Sequence, residues 1–353
     1  MAKEALVVGI TGIGGHNIAK ELLAQGWKVH GLSRKAGNEI PGVNHIHGDV
    51  LDPASVSKAI AGLPITHMFF ATWQRQATEA ENCRVNGAMI KNTLDALKNT
   101  KTLEHVVLIT GLKHYLGPFE AYASTPMDTP FRESQERLPI DNFYYTQEDE
   151  LFAAAKAQGF TWSVHRPHTM IGWALGNAMN MGVTLGIYAS ICKETGRPFI
   201  FPGSKEQYNG VTDVTDARML AKHAVWSATS PNAKNQAFNT VNGDVFRWRQ
   251  LWKNIADFFE LPDPGYPDKL SPLEGRMDDA DEIWAKIVAK HGLKNYKATE
   301  LASWWHTDAD LGRQVETFAD MSKSRHAGFK EIQVSTDSFL DIFKTLRAEK
   351  IIP

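Results

Sequence analysis

The run Val7-Val8-Gly9-Ile10-Thr11-Gly12-Ile13-Gly14-Gly15-His16 limits what this chain can fold into more than any other stretch. Leu6 to Val8 reads as a buried strand, glycines 9, 12 and 15 follow as G-x-x-G-x-x-G, and Ile18, Leu22 and Leu23 mark an apolar helix face. Each glycine has a mechanical task in such a unit: a tight turn, close approach of backbone to a pyrophosphate, and close packing of helix on strand. The helix start then offers unpaired N–H groups to phosphate oxygens. A glycine pattern alone is weak, but a strand before it and a helix after it supply the context that gives it meaning. The expectation is a bound dinucleotide held around Gly9, Thr11, Gly12, Ile13 and Gly15.

The following strand indicates which dinucleotide. Lys28 to Lys35 follows the helix, with Gly26 as the glycine just past the helix end. Units that take NAD usually close this strand with a carboxylate for the ribose 2′-hydroxyl, whereas an arginine there suits a 2′-phosphate. Here the strand ends Ser33-Arg34-Lys35 without a carboxylate. A guanidinium can pair bidentately with phosphate. Two solvated surface cations would explain Arg34 and Lys35 in isolation; behind the fingerprint, NADP(H) is the expected cofactor. A third strand closes at Gly48-Asp49-Val50, where Asp49 either accepts from the adenine amino group or caps the next turn.

Strand candidates at 5–9, 28–32, 44–47, 66–71, 105–110 and 161–165 alternate with helix candidates at 15–25, 53–61, 78–99 and 144–158. Asp52-Pro53 is a helix start, with Asp as cap and Pro in the first turn. Such alternation predicts an α/β fold: a Rossmann-type doubly wound parallel sheet with helices on both faces. After 170 the pattern loosens into helices separated by Pro/Gly-rich pieces such as Pro202-Gly203-Ser204. A nucleotide-binding domain over 1–170 and a smaller, mostly helical substrate-binding cap over 171–353 are therefore expected. The two are partly interleaved, with 200–242 open to recruitment by the core sheet. The cap holds Trp173, Trp226, Trp248, Trp252, Trp284, Trp304 and Trp305, which suit an apolar substrate or a plain helical core.

With 38 basic and 40 acidic residues the charge is nearly balanced, so no basic face points to nucleic acid or an anionic membrane. Cys83 and Cys192 lie far apart in apolar helical patterns and read as buried free thiols. No charged segment followed by an apolar run opens the sequence, and no apolar stretch is long enough to span a bilayer. A cytoplasmic enzyme is expected, and no metal site, because the 13 histidines never pair at helical spacing with a carboxylate.

Several further segments carry a resemblance. Ala71-Thr72-Trp73, Glu81-Asn82-Cys83, Thr110-Gly111-Leu112-Lys113-His114-Tyr115, Gly117-Pro118-Phe119-Glu120, Asn142-Phe143-Tyr144-Tyr145, Trp162 to Pro167 and Asn242 to Phe246 occur in the order and spacing of one family. In these the chain resembles the progesterone 5β-reductase/iridoid synthase-like family, an atypical branch of the extended short-chain dehydrogenase/reductases. The likeness runs from the first strand to Lys350-Ile351-Ile352-Pro353. It implies reduction of the C=C bond of α,β-unsaturated carbonyl compounds with NADPH. Cofactor contacts are then expected also at Val50, Ala71, Thr72, Trp73, Thr110, Gly111, Pro167 and Met170.

Ordinary short-chain dehydrogenases carry Tyr-x-x-x-Lys on one helix face, but Tyr144 is followed four residues later by Glu148, and Tyr145 by Asp149. The resemblance instead implies Lys113 as the catalytic lysine and Tyr144 as the tyrosine. Lys113 sits at the carboxyl end of a strand, where open α/β sheets place ligands. In the expected reaction, hydride goes to the β-carbon and charge collects on the carbonyl oxygen, which the Tyr144 hydroxyl stabilises. A nearby ammonium is expected to lower the phenol's pKa. Trp73 and Phe119 are expected as pocket walls. Two positions depart from the family: His168-Thr169 replaces Gly-Asn, and Trp304-Trp305 is followed by His306. Both make the pocket more polar, which favours small or oxygenated enones at least as much as steroids. A carbonyl 1,2-reductase or epimerase-like enzyme, a non-catalytic NADPH-binding regulator, and self-association as a homodimer stay open from sequence.

Overall fold

The computed structural model describes residues 3–34, 39–118, 128–174, 179–267 and 269–353. Its strands are β1 (Glu4–Val8), β2 (Lys28–Ser33), β3 (Asn44–His47), β4 (His67–Phe70), β5 (His105–Ile109), β6 (Thr161–Pro167), β7 (Met170–Ile171), β8 (Thr215–Asp216) and β9 (Gln236–Thr240). Seven of them form one parallel sheet in the order β3-β2-β1-β4-β5-β6-β9, while β7 and β8 pair with each other. Every residue of β4 and β5 is buried, as a parallel sheet covered on both faces requires.

The helices of the sheet layers are α1 (Ile13–Ala24), α2 (Pro53–Ile60), α3 (Glu79–Leu97), the single turn α4 (Lys113–Leu116) and α5 (Phe143–Gln158). Beyond them lie α6 (Met181–Thr195), α7 (Lys205–Asn209), α8 (Ala217–Thr229), α9 (Trp248–Phe259), α10 (Ala280–His291), α11 (Ala298–Leu301), α12 (Trp304–Leu311), α13 (Ser322–Ala327) and α14 (Ser335–Ala348). Strand side chains alternate between two cores, following the two-residue period of a strand. Leu6, Met68 and Leu108 meet Ile90 and Leu94 of α3 and Leu151 of α5. Val7, Phe69 and Val107 meet Ile18 and Leu22 of α1 and Leu220 and Val225 of α8. The later chain thus returns twice to the sheet layers, through α8 and β9.

Elsewhere the later chain builds its own core, in which Trp248, Trp252 and Trp284 are fully buried with Phe199 and Phe343. These three tryptophans are plain core, which decides between the two roles that their spacing left open. The local signals act as expected: Asp52 accepts from Ala54 N at 2.9 Å, and Gly26 takes φ +76 after α1. Both cysteines are free; Cys192 is buried and Cys83 is half-buried. Among the described residues no helix is long and apolar enough to cross a membrane, and no group of His, Cys, Asp or Glu could hold a metal ion.

Candidate active site

Strand order reverses between β1 and β4, and at such a switch point the carboxyl ends of an open sheet leave a crevice. The glycine turn fills its floor with main chain. Gly9 has φ +85, and a Cβ there would come within 2.6 Å of the Ala71 carbonyl oxygen. A Cβ on Gly15 would come within 2.2 Å of the Gly9 carbonyl oxygen, so Gly15 lets the helix approach the strand rather than lining the crevice. At Gly12, the cap of α1, the same test meets only Gly9 O at 3.3 Å and Ala71 O at 4.0 Å. No side chain caps α1 among the described residues, so its first N–H groups are open to a phosphate.

A cleft of about 600 Å³ follows this turn, lined by Gly9, Thr11, Ser33, Arg34, Asp49, Val50, Thr72 and Trp73. Asp49 caps the next turn, its Oδ1 accepting from Leu51 N at 2.9 Å, and the residue borders the cleft. Lys35 lies outside the described residues. The turn, the open helix start and Arg34 fit a phosphorylated dinucleotide.

Trp73 also lines a second cleft of about 810 Å³, so the two share a wall. Ile13, Thr110, Gly111, Pro167 and Met170 border this second space together with Lys113 and Tyr144. The Trp73 indole stacks on Phe143 with centroids 5.3 Å apart, and Lys113 Nζ lies 5.4 Å from the Trp73 ring centroid. Phe119 lies outside the described residues.

The two tyrosines of the Asn-Phe-Tyr-Tyr segment are sharply different. The Tyr145 hydroxyl donates to the His114 carbonyl oxygen at 2.6 Å and accepts from Leu138 N at 3.0 Å, which ties it to the scaffold. Tyr144 instead lines the cleft, and a Cβ on Gly111 would come 3.0 Å from its hydroxyl. Gly111 therefore leaves room for that hydroxyl. Burial, with the Glu79 carboxylate second, pushes the Tyr144 phenol well above its ordinary value. The expected lowering by an ammonium is thus overturned, because desolvation disfavours the phenolate. Tyr144 is held as a neutral phenol.

One residue missed by sequence reasoning joins the pair. Asn142 caps α5 by accepting from Tyr144 N at 3.0 Å, and its Nδ2 donates to the Lys113 carbonyl oxygen at 2.7 Å. Asn directly before a helix is a cap signal that could have flagged it. Glu148, in place of the usual lysine, is buried and pairs with Arg137 at 2.8 Å and Arg166 at 3.6 Å. It serves the scaffold.

The remaining wall of the second cleft is polar. His168 Nδ1 lies 2.6 Å from Asp213 Oδ1, and Asp213 Oδ2 accepts from Ala319 N at 2.7 Å. Thr169 Oγ1 donates to Asp310 Oδ2 at 3.1 Å and accepts from Arg313 Nη2 at 3.2 Å. His306 borders the same space, and burial holds its imidazole below the ordinary value. Sequence reasoning named His168, Thr169 and His306 but not Asp310 or Arg313. His306 and Asp310 share one face of α12, but Arg313 lies just past the helix end, so no local spacing ties it to them.

Sheet order, glycine turn and strand-end cleft define a Rossmann-type protein of the extended short-chain dehydrogenase/reductase class. The structure of UDP-glucose 4-epimerase from Thermotoga maritima with UDP-glucose shares this fold at a TM-score of 0.70 and 13% identity, covering 98% of this chain and 99% of that one. Within the class, the chain belongs to the PRISE-like Rossmann-fold domain family, which matches residues 48–353. It is 41% identical to the (S)-8-oxocitronellyl enol synthase of Nepeta cataria, over 99% of this chain and 93% of that protein. It is 39% identical to the 3-oxo-Δ(4,5)-steroid 5β-reductase of Arabidopsis thaliana, again over 99% and 93%. The family is the one that the sequence segments resemble.

Proposed function

We propose that this protein reduces the C=C bond of α,β-unsaturated carbonyl compounds with NADPH, using Tyr144 and Lys113. The observation that carries the reading is the placement of Tyr144, neutral and facing a cleft it shares with Lys113, while Tyr145 is spent on the scaffold. The family relationship and the names of the two relatives support the reaction class.

NADPH, when bound, supplies the hydride. Gly9, Thr11 and Gly12 would cradle its pyrophosphate, and Arg34 would meet the 2′-phosphate. The protein's own contribution is to the substrate oxygen. Charge develops there as the β-carbon is reduced, and a donor already in place stabilises it without reorganisation. The Tyr144 hydroxyl is that donor. Lys113 adds positive charge to the same cleft, and Asn142 fixes the two backbones relative to each other. The balanced charge supports a small-molecule substrate over a polyanionic partner.

The test is regiochemical. Deuteride from labelled NADPH should appear on the β-carbon of a simple enone, with the saturated ketone as product and the α-hydrogen drawn from solvent. Label on the carbinol carbon would replace this reading with ordinary carbonyl reduction.

A further inference from the structure

The polar wall of the substrate cleft contains two buried charges whose hydrogen-bonding capacity is largely unused. Asp310 is 6% exposed and Arg313 is 7% exposed. A guanidinium carries five N–H donors. Among the described residues Arg313 uses one of them, from Nη2 to Thr169 Oγ1 at 3.2 Å. Its Nε has no hydrogen-bond partner, and Nη1 lies 3.7 Å from Asp310 Oδ1, beyond hydrogen-bond distance. Among the described residues Asp310 accepts a single bond, from Thr169. His306 Nδ1, on the same face of α12 as Asp310, also lacks a partner among the described residues. Buried polar groups are normally satisfied, and one left unpaired destabilises the fold. A pair built only to hold the fold would close to hydrogen-bond distance. This pair stands open in a cleft that it lines.

We infer that Asp310 and Arg313 form a hydroxyl-recognition subsite, so that the enone reduced here carries a hydroxyl group away from its reacting carbonyl. This deepens the reductase reading above and rests on it. The charges select the class of group. A carboxylate on the substrate would face Asp310, and an ammonium would face Arg313. A hydroxyl can donate to Asp310 and accept from Arg313 at once, and it leaves the local charge balanced. Thr169 bridges the two side chains by bonding to both. A site made to bond a substrate hydroxyl discriminates strongly against the analogue that lacks it, because its own buried groups then stay unpaired.

The experiment compares kcat/KM for a matched series of enones that differ at one remote position: methyl, hydroxymethyl, carboxylate and aminomethyl. Wild-type protein should favour the hydroxymethyl compound over the methyl compound by at least about tenfold. The carboxylate and aminomethyl compounds should gain nothing over methyl. In Asp310→Asn and Arg313→Met the hydroxymethyl-to-methyl ratio should fall toward one. Equal turnover of the two by wild-type protein overturns the subsite, as does a preference that survives both substitutions or one for the carboxylate. The wild-type comparison stands even where a variant fails to fold. If no compound in the series is reduced, the reductase reading fails instead. Calorimetric binding of the saturated hydroxymethyl and methyl ketones then tests the subsite alone, and equal affinities overturn it.

Discussion

The two clefts that meet at Trp73 are built from different materials. The first is mostly main chain: a glycine turn, an uncapped helix start and one exposed arginine. The second is mostly side chain, assembled from α4, α5, the segment after β6, and the α12 region. Main-chain recognition suits an unchanging ligand, because almost any side chain can be replaced without moving the N–H groups. Side-chain recognition suits a variable one. On the proposed assignment, the second cleft is where a substrate range can drift while the cofactor stays the same.

That contrast can be broken first at the scaffold behind the second cleft. Glu148→Lys restores the spacing of an ordinary Tyr-x-x-x-Lys motif, yet it places an ammonium between Arg137 and Arg166. The variant should lose about 3–5 kcal/mol in denaturant unfolding. It should gain no carbonyl reduction. New allylic alcohol product would show that the helix face is still a catalytic position.

A smaller effect on stability, but a large one on rate, is expected at Tyr144. Tyr144→Phe should lower kcat on the order of 10²–10³, the usual cost of one oxyanion donor, and leave NADPH affinity near wild type. Tyr145→Phe should keep most of kcat and lose stability instead, by about 0.5–1.5 kcal/mol. The reverse pattern exchanges the roles of the two tyrosines. Because burial raises the Tyr144 phenol, it stays protonated up to and beyond its ordinary value of 10.0. The kcat profile should therefore show no alkaline loss from this group below about pH 9. A limb near neutrality that vanishes in Tyr144→Phe would contradict the neutral donor.

The smallest effect sharpens the other side. Arg34→Ala should weaken NADPH about tenfold and NADH hardly at all, since one charge-assisted contact to an exposed phosphate is removed. Titration calorimetry showing equal losses would take Arg34 out of the 2′-phosphate site.

What the sequence made legible follows the same division. The strands at 28–32 and 44–47, the glycine turn and the Asp52 cap depend on neighbours within a few residues, so their pattern survives in one dimension. The strand β9 is harder to see. Gln236-Ala-Phe-Asn-Thr240 is short and half polar, and its partner β6 lies some seventy residues earlier in the chain. Asn239 and Thr240 are buried there because Tyr115 and His165 reach them from other elements. The Asp310–Arg313 pair was illegible for a related reason. Its meaning depends on Thr169, and nothing local says that these segments meet. Likewise the resemblance pointed to Tyr144, while its raised phenol followed from burial that only the fold reveals.

The amide of Asn142 has a consequence for how such a site can change. On a shared helix face, an ammonium and a phenol four residues apart are locked to a pitch of about 5.4 Å. Here they sit on separate pieces of chain, fastened by one side-chain amide that grips the carbonyl of Lys113 and the N–H of Tyr144. The spacing of phenol and ammonium is thus set by how the α4 turn meets the start of α5, not by the pitch of one helix.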